Sequence, residues 1–161
     1  MKHRFQAFVL PVIAVAAIAT AASVAFAQQA PKPETLIKWR QSAFQTIAWN
    51  AGRIKASVDG PYNKDEVAKA ANTIAAISNS GLFTTLFAAG TEQGKGWHET
   101  TVRPELFKDR HRLAELGANF SKEANELARI AANGDAATVK KQFAKLSKSC
   151  KSCHDEFKGK D

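Results

Sequence analysis

The sequence is poor in cysteine. Among 161 residues there are two, Cys150 and Cys153, both close to the C-terminal end. Cross-linking them would close a very short loop that constrains the unfolded chain little, which argues against a structural disulfide. The only methionine is Met1, so no methionine side chain is available to any site downstream. Strand signals are few, and internal repeats and low-complexity tracts are absent. Acidic residues are outnumbered, 15 against 23 basic, for a net charge of +8.

What is present begins with a leader-like segment. Lys2, His3 and Arg4 make a positive start, an apolar run covers 8–22, and Ala25, Phe26 and Ala27 fit a small-x-small cleavage site. The pattern predicts a secretory signal peptide over 1–27, cut before Gln28. A retained membrane anchor is the weaker alternative, because the run is Ala-rich, interrupted by Pro11 and short for a spanning helix. No cysteine follows the run, which excludes a lipoprotein anchor there. Processing leaves one domain over 28–161, without a membrane span. It removes Lys2 and Arg4, leaving 21 basic against 15 acidic residues and a net charge of +6. Export argues against nucleic acid as a partner and leaves an acidic protein or an anionic surface.

Helical periodicity dominates the rest. A first helix over 34–58 has Pro33 near its start and a stripe of Ile37, Arg40, Phe44, Ile47, Ala51, Ile54 and Val58, in alternating steps of 3 and 4. That is a bundle seam with one misfit, the charged Arg40. Asn63 is the expected N-cap of a second helix over 64–79, with Glu66 as its capping-box partner and Val67, Ala71, Ile74 and Ile77 or Ser78 facing inward. Gly81 stops it, and Leu82, Phe83, Leu86 and Phe87 form a short apolar segment. Residues 90–103 are glycine-rich and aperiodic, hence a loop. Pro104 opens a third helix to 132, with Leu106, Leu113, Phe120 and Leu127 in register and Leu116 and Ile130 offset. Asp135 caps a fourth, to 158, whose stripe is Val139, Phe143, Leu146, Cys150, Cys153 and Phe157. Four amphipathic helices predict an all-α, antiparallel four-helix bundle with both cysteines on its core side.

The cysteines belong to the sequence CKSCH at 150–154. Zinc would lack a fourth ligand, and adjacent Cys153 and His154 would struggle to point at one tetrahedral ion. A dithiol redox centre usually opens a helix, where the dipole lowers the thiol pKa; this pair closes one. Two plain buried cysteines are a third reading. The spacing C-x-x-C-H favours a fourth, covalent haem c, one per chain, held by two thioethers. Thiols one turn apart can each add to a vinyl group on one porphyrin edge, and His154 then reaches the iron from one face. Attachment outside the cytoplasm agrees with export.

The opposite axial position cannot take methionine. His111 falls on an outer heptad position and reads as a surface residue. His98, in the glycine-rich loop, is an alternative sixth ligand that would make a low-spin electron carrier. Five-coordinate iron with an apolar distal face is the leading expectation.

Four segments carry a family resemblance: KWRQSAF at 38–44, GTEQG at 90–94, RPELF at 103–107 and CKSCHDEF at 150–157. With them the chain resembles the cytochrome c′ family of exported four-helix bundles over essentially its whole mature length. The resemblance implies His154 as iron ligand, Phe44 over the opposite face, and high-spin iron that binds nitric oxide and carbon monoxide. It also implies single-electron transfer with an unknown redox partner, a homodimer, and a periplasmic location in a Gram-negative bacterium. Arg40 and Gln41 match positions that contact haem propionates, which would explain a charge on an apolar seam; an arginine snorkelling at the bundle end is the alternative. The resemblance also implies a haem contact from the loop, for which Glu92, Glu99 and Thr101 are candidates and Thr101 is the expected one. No enzymatic role is expected, since Phe44 stands where a peroxidase-like site wants histidine or arginine. Lys140, Lys141, Lys145, Lys148, Lys151, Lys158 and Lys160 crowd the C-terminal end. They read first as a solvated helix face and second as a docking surface for an acidic redox partner.

Overall fold

In the computed structural model, residues 30–159 are described. The expected signal peptide and its cleavage site lie outside them. Six helices follow in order: α1 (Pro33–Asp59), α2 (Lys64–Asn79), α3 (Leu82–Thr85), α4 (Glu105–Lys108), α5 (Arg110–Asn133) and α6 (Ala136–Phe157). The four long ones form the expected bundle. α1 packs on α2, α2 on α5 and α5 on α6, while the closing seam between α1 and α6 is the sparsest of the four.

The helix starts follow the local chemistry. Asn63 accepts from the Glu66 amide at 3.1 Å, and Asp135 from the Thr138 amide at 2.7 Å. The reciprocal half of the capping box is absent: the Asn63 amide donates to Ser57 Oγ, and the Glu66 carboxylate accepts from Arg53 instead. Gly81 adopts φ +83°, a left-handed conformation that ends α2 and that glycine takes without strain. The expected third helix is in fact two. Asp109 leaves helical geometry (φ −107°, ψ 71°) and its side chain caps Arg112, so α5 starts at Arg110 and α4 is a separate turn. The break keeps Leu106 buried at a place that a continuous helix need not reach.

The apolar stripes are buried largely as the periodicity predicts. Ile37, Ile54, Val67, Ala71, Ile74, Leu113, Phe120, Leu127, Val139 and Leu146 all lie inside, and Ser78 rather than Ile77 is the inward residue at the end of α2. The core divides into two clusters. The larger includes Ile47, Ile54, Ile74, Phe120, Leu127 and Leu146; the smaller is Phe87, Leu106, Leu113, Leu116 and Phe157. Phe44 and Phe83 pack against both. No described helix is long and apolar enough to cross a membrane.

Candidate functional site

Cys150 and Cys153, one turn apart on α6, are half-buried free thiols. Cys150 packs against the larger cluster and Cys153 against the smaller, so the pair straddles the division between them. Burial raises both thiol pKa values, with Glu156 adding to the rise at Cys153. A reactive dithiol needs the opposite shift. Among the described residues no cluster of three or more histidine, cysteine, aspartate or glutamate side chains is placed to hold a metal ion.

His154 follows on the outer side of the same turn, and its carbonyl accepts from the Lys158 amide at 3.0 Å. Burial, helped by Lys158, lowers the imidazole pKa and so favours the neutral, ligating form. The turn is braced from α5. Arg112 makes a two-pronged ion pair with Glu156, one prong of which joins Nε to Oε2 at 3.0 Å, and it also pairs with Glu115. Sequence reasoning missed this brace.

Phe44 projects from α1 and packs against both clusters. It does not stand alone: Phe83 and Phe87 meet it edge-on at centroid distances of 6.3 and 6.2 Å, and these two rings are parallel to each other at 6.2 Å. Leu82, Phe83, Leu86 and Phe87 were legible as an apolar segment; that the rings would line the Phe44 side was not.

Arg40, one turn before Phe44, is 3% exposed, which rules out snorkelling. Nη1 donates to the Leu86 carbonyl and Thr91 Oγ1 at 3.1 and 3.0 Å, and Nη2 to the Thr91 carbonyl and Thr100 Oγ1 at 3.0 and 2.9 Å. The guanidinium also lies 4.8 Å over the Phe87 ring. All four acceptors are neutral. Burial pulls the pKa down to about 10, and Glu92 opposes this at longer range without an ion pair among the described residues. Four of the five donors are used, leaving Nε–H, and the charge has only neutral hydrogen-bond acceptors. That is the partner an acidic group would want.

Gln41 turns elsewhere. Its Oε1 accepts from the Trp97 amide at 2.7 Å, and its Nε2 donates to the His98 carbonyl at 2.9 Å. His98 is exposed, with Nδ1 2.9 Å from the Glu99 carbonyl and 3.3 Å from Gln41 Nε2. The loop then runs to the end of the chain: Arg103 N donates to Phe157 O, and Gly159 N to Thr101 O. Thr101 is therefore tied to the segment just after His154, whereas its neighbour Thr100 reaches Arg40. Glu99 is exposed and Glu92 half-buried, and His111 is exposed as expected.

The donor set fits haem: two thiols one turn apart, an imidazole next to them, apolar clusters on either side of the pair, and a buried cation whose hydrogen-bond acceptors are all neutral. The comparisons agree. A sequence profile of the family "Cytochrome C'" matches residues 35–158. A cytochrome c′ of Rhodocyclus tenuis is 60% identical over 131 residues, covering 81% of this chain and 98% of its own. The crystal structure of cytochrome c′ from Thermochromatium tepidum is 40% identical and superposes with a TM-score of 0.78, covering 81% of this chain and 99% of that one. A second solved cytochrome c′, with ligand-controlled dimer dissociation, gives 40% and 0.77, covering 81% and 98%. Covalent haem, one per chain, can be joined only through Cys150 and Cys153, since the chain has no other thiol, and with the profile spanning the whole bundle this chain belongs to the cytochrome c′ family.

Proposed function

We propose that this chain is exported, processed before Gln28, and works in the periplasm of a Gram-negative bacterium as a high-spin haem protein. It would bind nitric oxide or carbon monoxide and pass single electrons to and from an unidentified redox partner. Haem supplies an iron that changes its charge by one electron and takes a small ligand on its open side. The residues do the rest. His154 would hold the iron, and Phe44 would present an apolar ring that an incoming ligand has to displace. Arg40 places a buried positive charge toward the propionates, with Gln41 and Thr101 as further contacts from α1 and the loop. The proposed role is binding and electron transfer.

The observation that carries this reading is the aromatic wall of Phe44, Phe83 and Phe87 on the side where a sixth protein ligand would have to stand. The low-spin alternative with His98 has less support, because that imidazole is exposed and held by Gln41 and the Glu99 carbonyl. Solved complexes of variants of cytochrome c prime from Alcaligenes xylosoxidans, 28% identical to this chain, hold nitric oxide and carbon monoxide. A homodimer is supported by Trp39 and Trp49, 50% and 63% exposed on α1, an apolar area that a second copy would cover. Lys151 and Lys140 already pair with Asp155 and Asp59, which favours a solvated lysine face over a docking surface.

Optical and electron-spin-resonance spectra of the purified holoprotein test the proposal. High-spin bands in both oxidation states and a shift on adding carbon monoxide are expected. Low-spin bands that carbon monoxide leaves unmoved would overturn it.

A further inference from the structure

Gly117 stands in the interior of α5, buried, where glycine is unfavourable for a helix. Its reason is contact. A Cβ there would come within 2.8 Å of Phe83 Cγ and 3.0 Å of Phe83 Cβ and Cδ2. The Phe83 side chain therefore lies directly on helix backbone, with no side-chain knob at that position to lock it. Phe83 is only half-buried, whereas Phe87 and Phe120, its ring neighbours, are each 5% exposed.

Phe83 also lines a surface groove of about 390 Å³ where the end of α2, α3 and α5 meet. Leu113 and Gly117 line it with Phe83, and Ala114 and Ala118 stand exposed along it. The same ring meets Phe44 edge-on at 6.3 Å. One side chain thus connects this surface groove with the ring that packs against both core clusters. A ring lying on glycine beside open volume can swing without displacing a packed neighbour from the groove side.

We propose that this groove is the port by which a small uncharged diatomic ligand reaches the Phe44 side of the site, with Phe83 as a gate in series with Phe44. The inference rests on the proposed gas binding opposite His154. The lining is mixed: Leu113, Ala114, Gly117 and Ala118 give it apolar surface with Phe83, and polar side chains including Asn79 and Arg110 share it; an uncharged molecule of two atoms can follow the apolar surface without losing hydration. A gate of this kind alters the barrier and leaves the end states alone. Association and dissociation rates then change by the same factor, and the affinity stays put.

Carbon monoxide kinetics on the holoprotein decide the matter, with association followed by rapid mixing and dissociation by displacement with nitric oxide. Ala118→Trp, at an exposed helical position, should fill the groove and slow both rates by about tenfold, with the equilibrium constant unchanged to within about twofold. Phe83→Ala should speed association. If Phe83→Ala does not fold, Ala118→Trp decides alone, being on the surface. Carbon monoxide binding at rates that neither variant changes would overturn the port and leave the gas-binding function standing. A holoprotein that takes up no carbon monoxide would overturn that function, and the port with it.

Discussion

Arg40 on α1 and Thr91 in the loop after α3 meet twice, through Nη1 to the threonine hydroxyl and Nη2 to its carbonyl, each at 3.0 Å. Thr91 is fully buried, and its hydroxyl donates onward to the Ala88 carbonyl at 2.8 Å. With Leu86 and Thr100 also on the guanidinium, one side chain fastens α1 to the chain after α3 and to the long loop. All of these acceptors are neutral, so the junction is mechanically complete while its charge is uncancelled.

Two substitutions separate those roles. Thr91→Val removes one acceptor of the guanidinium and strands a buried donor, which should cost about 1–3 kcal/mol in denaturant unfolding of the holoprotein. The charge is untouched, so the reduction potential should hold. Arg40→Ala removes the charge itself. Loss of a buried positive charge favours the more positive oxidised iron, so the potential should fall. An unaltered potential in Arg40→Ala would show that the residue only fastens the loop.

How much of this was legible in the sequence follows from the range of the interactions. The four long helices, their inward stripes and the caps at Asn63 and Asp135 are set by residues three and four apart, and periodicity reads those directly. The cysteine pair and His154 are equally local. Asp109 was an available cap signal, but Pro104 and a matching heptad register hid the break behind a longer helix. Thr91 carried no signal, since threonine in a glycine-rich loop reads as surface until the fold brings Arg40 against it. Phe83 and Phe87 were visible as apolar, and only tertiary packing could put their rings beside Phe44. Gln41 shows the same limit: adjacent to Arg40 in the chain, it faces the opposite way, to Trp97 and His98.

His98→Ala should leave the high-spin optical and electron-spin-resonance spectra of the holoprotein unchanged. The imidazole is exposed on the surface of the loop, and Gln41 Nε2 donates to the His98 carbonyl at 2.9 Å, which holds that loop against α1. Conversion of a low-spin spectrum to a high-spin one by this substitution would restore His98 as the sixth ligand.

Asp59 ends α1 and pairs with Lys140 of α6 and Lys55, each at 2.6 Å. These hydrogen bonds, Lys140 first, depress its pKa to about 2. A carboxylate depressed in the folded state stabilises above its unfolded pKa of about 3.9, and loses that contribution as pH falls toward about 2. Wild type should therefore lose more thermal stability than Asp59→Asn between those two pH values. All three side chains reach solvent, so the difference should shrink in high salt. Parallel melting curves at low salt would show that the cluster does not contribute.

Phe44→Ala is the substitution on which the gas-binding site turns. The ring is half-buried, packs against Phe83, Phe87 and both core clusters, and has no polar atom of its own, so its removal breaks no hydrogen bond. If a ligand must push this ring aside, the displacement energy is carried by the liganded state as well as by the barrier. Removing the ring should then speed carbon monoxide association and also tighten its equilibrium binding, unlike a change at the groove, which scales both rates alike. The cavity left among aromatic side chains should lower stability by about 3–5 kcal/mol at most, less to the degree that Phe83 and Phe87 relax into it. Carbon monoxide rates and affinity indistinguishable from wild type would mean that ligands reach the iron without disturbing Phe44, and that some other residue covers that face.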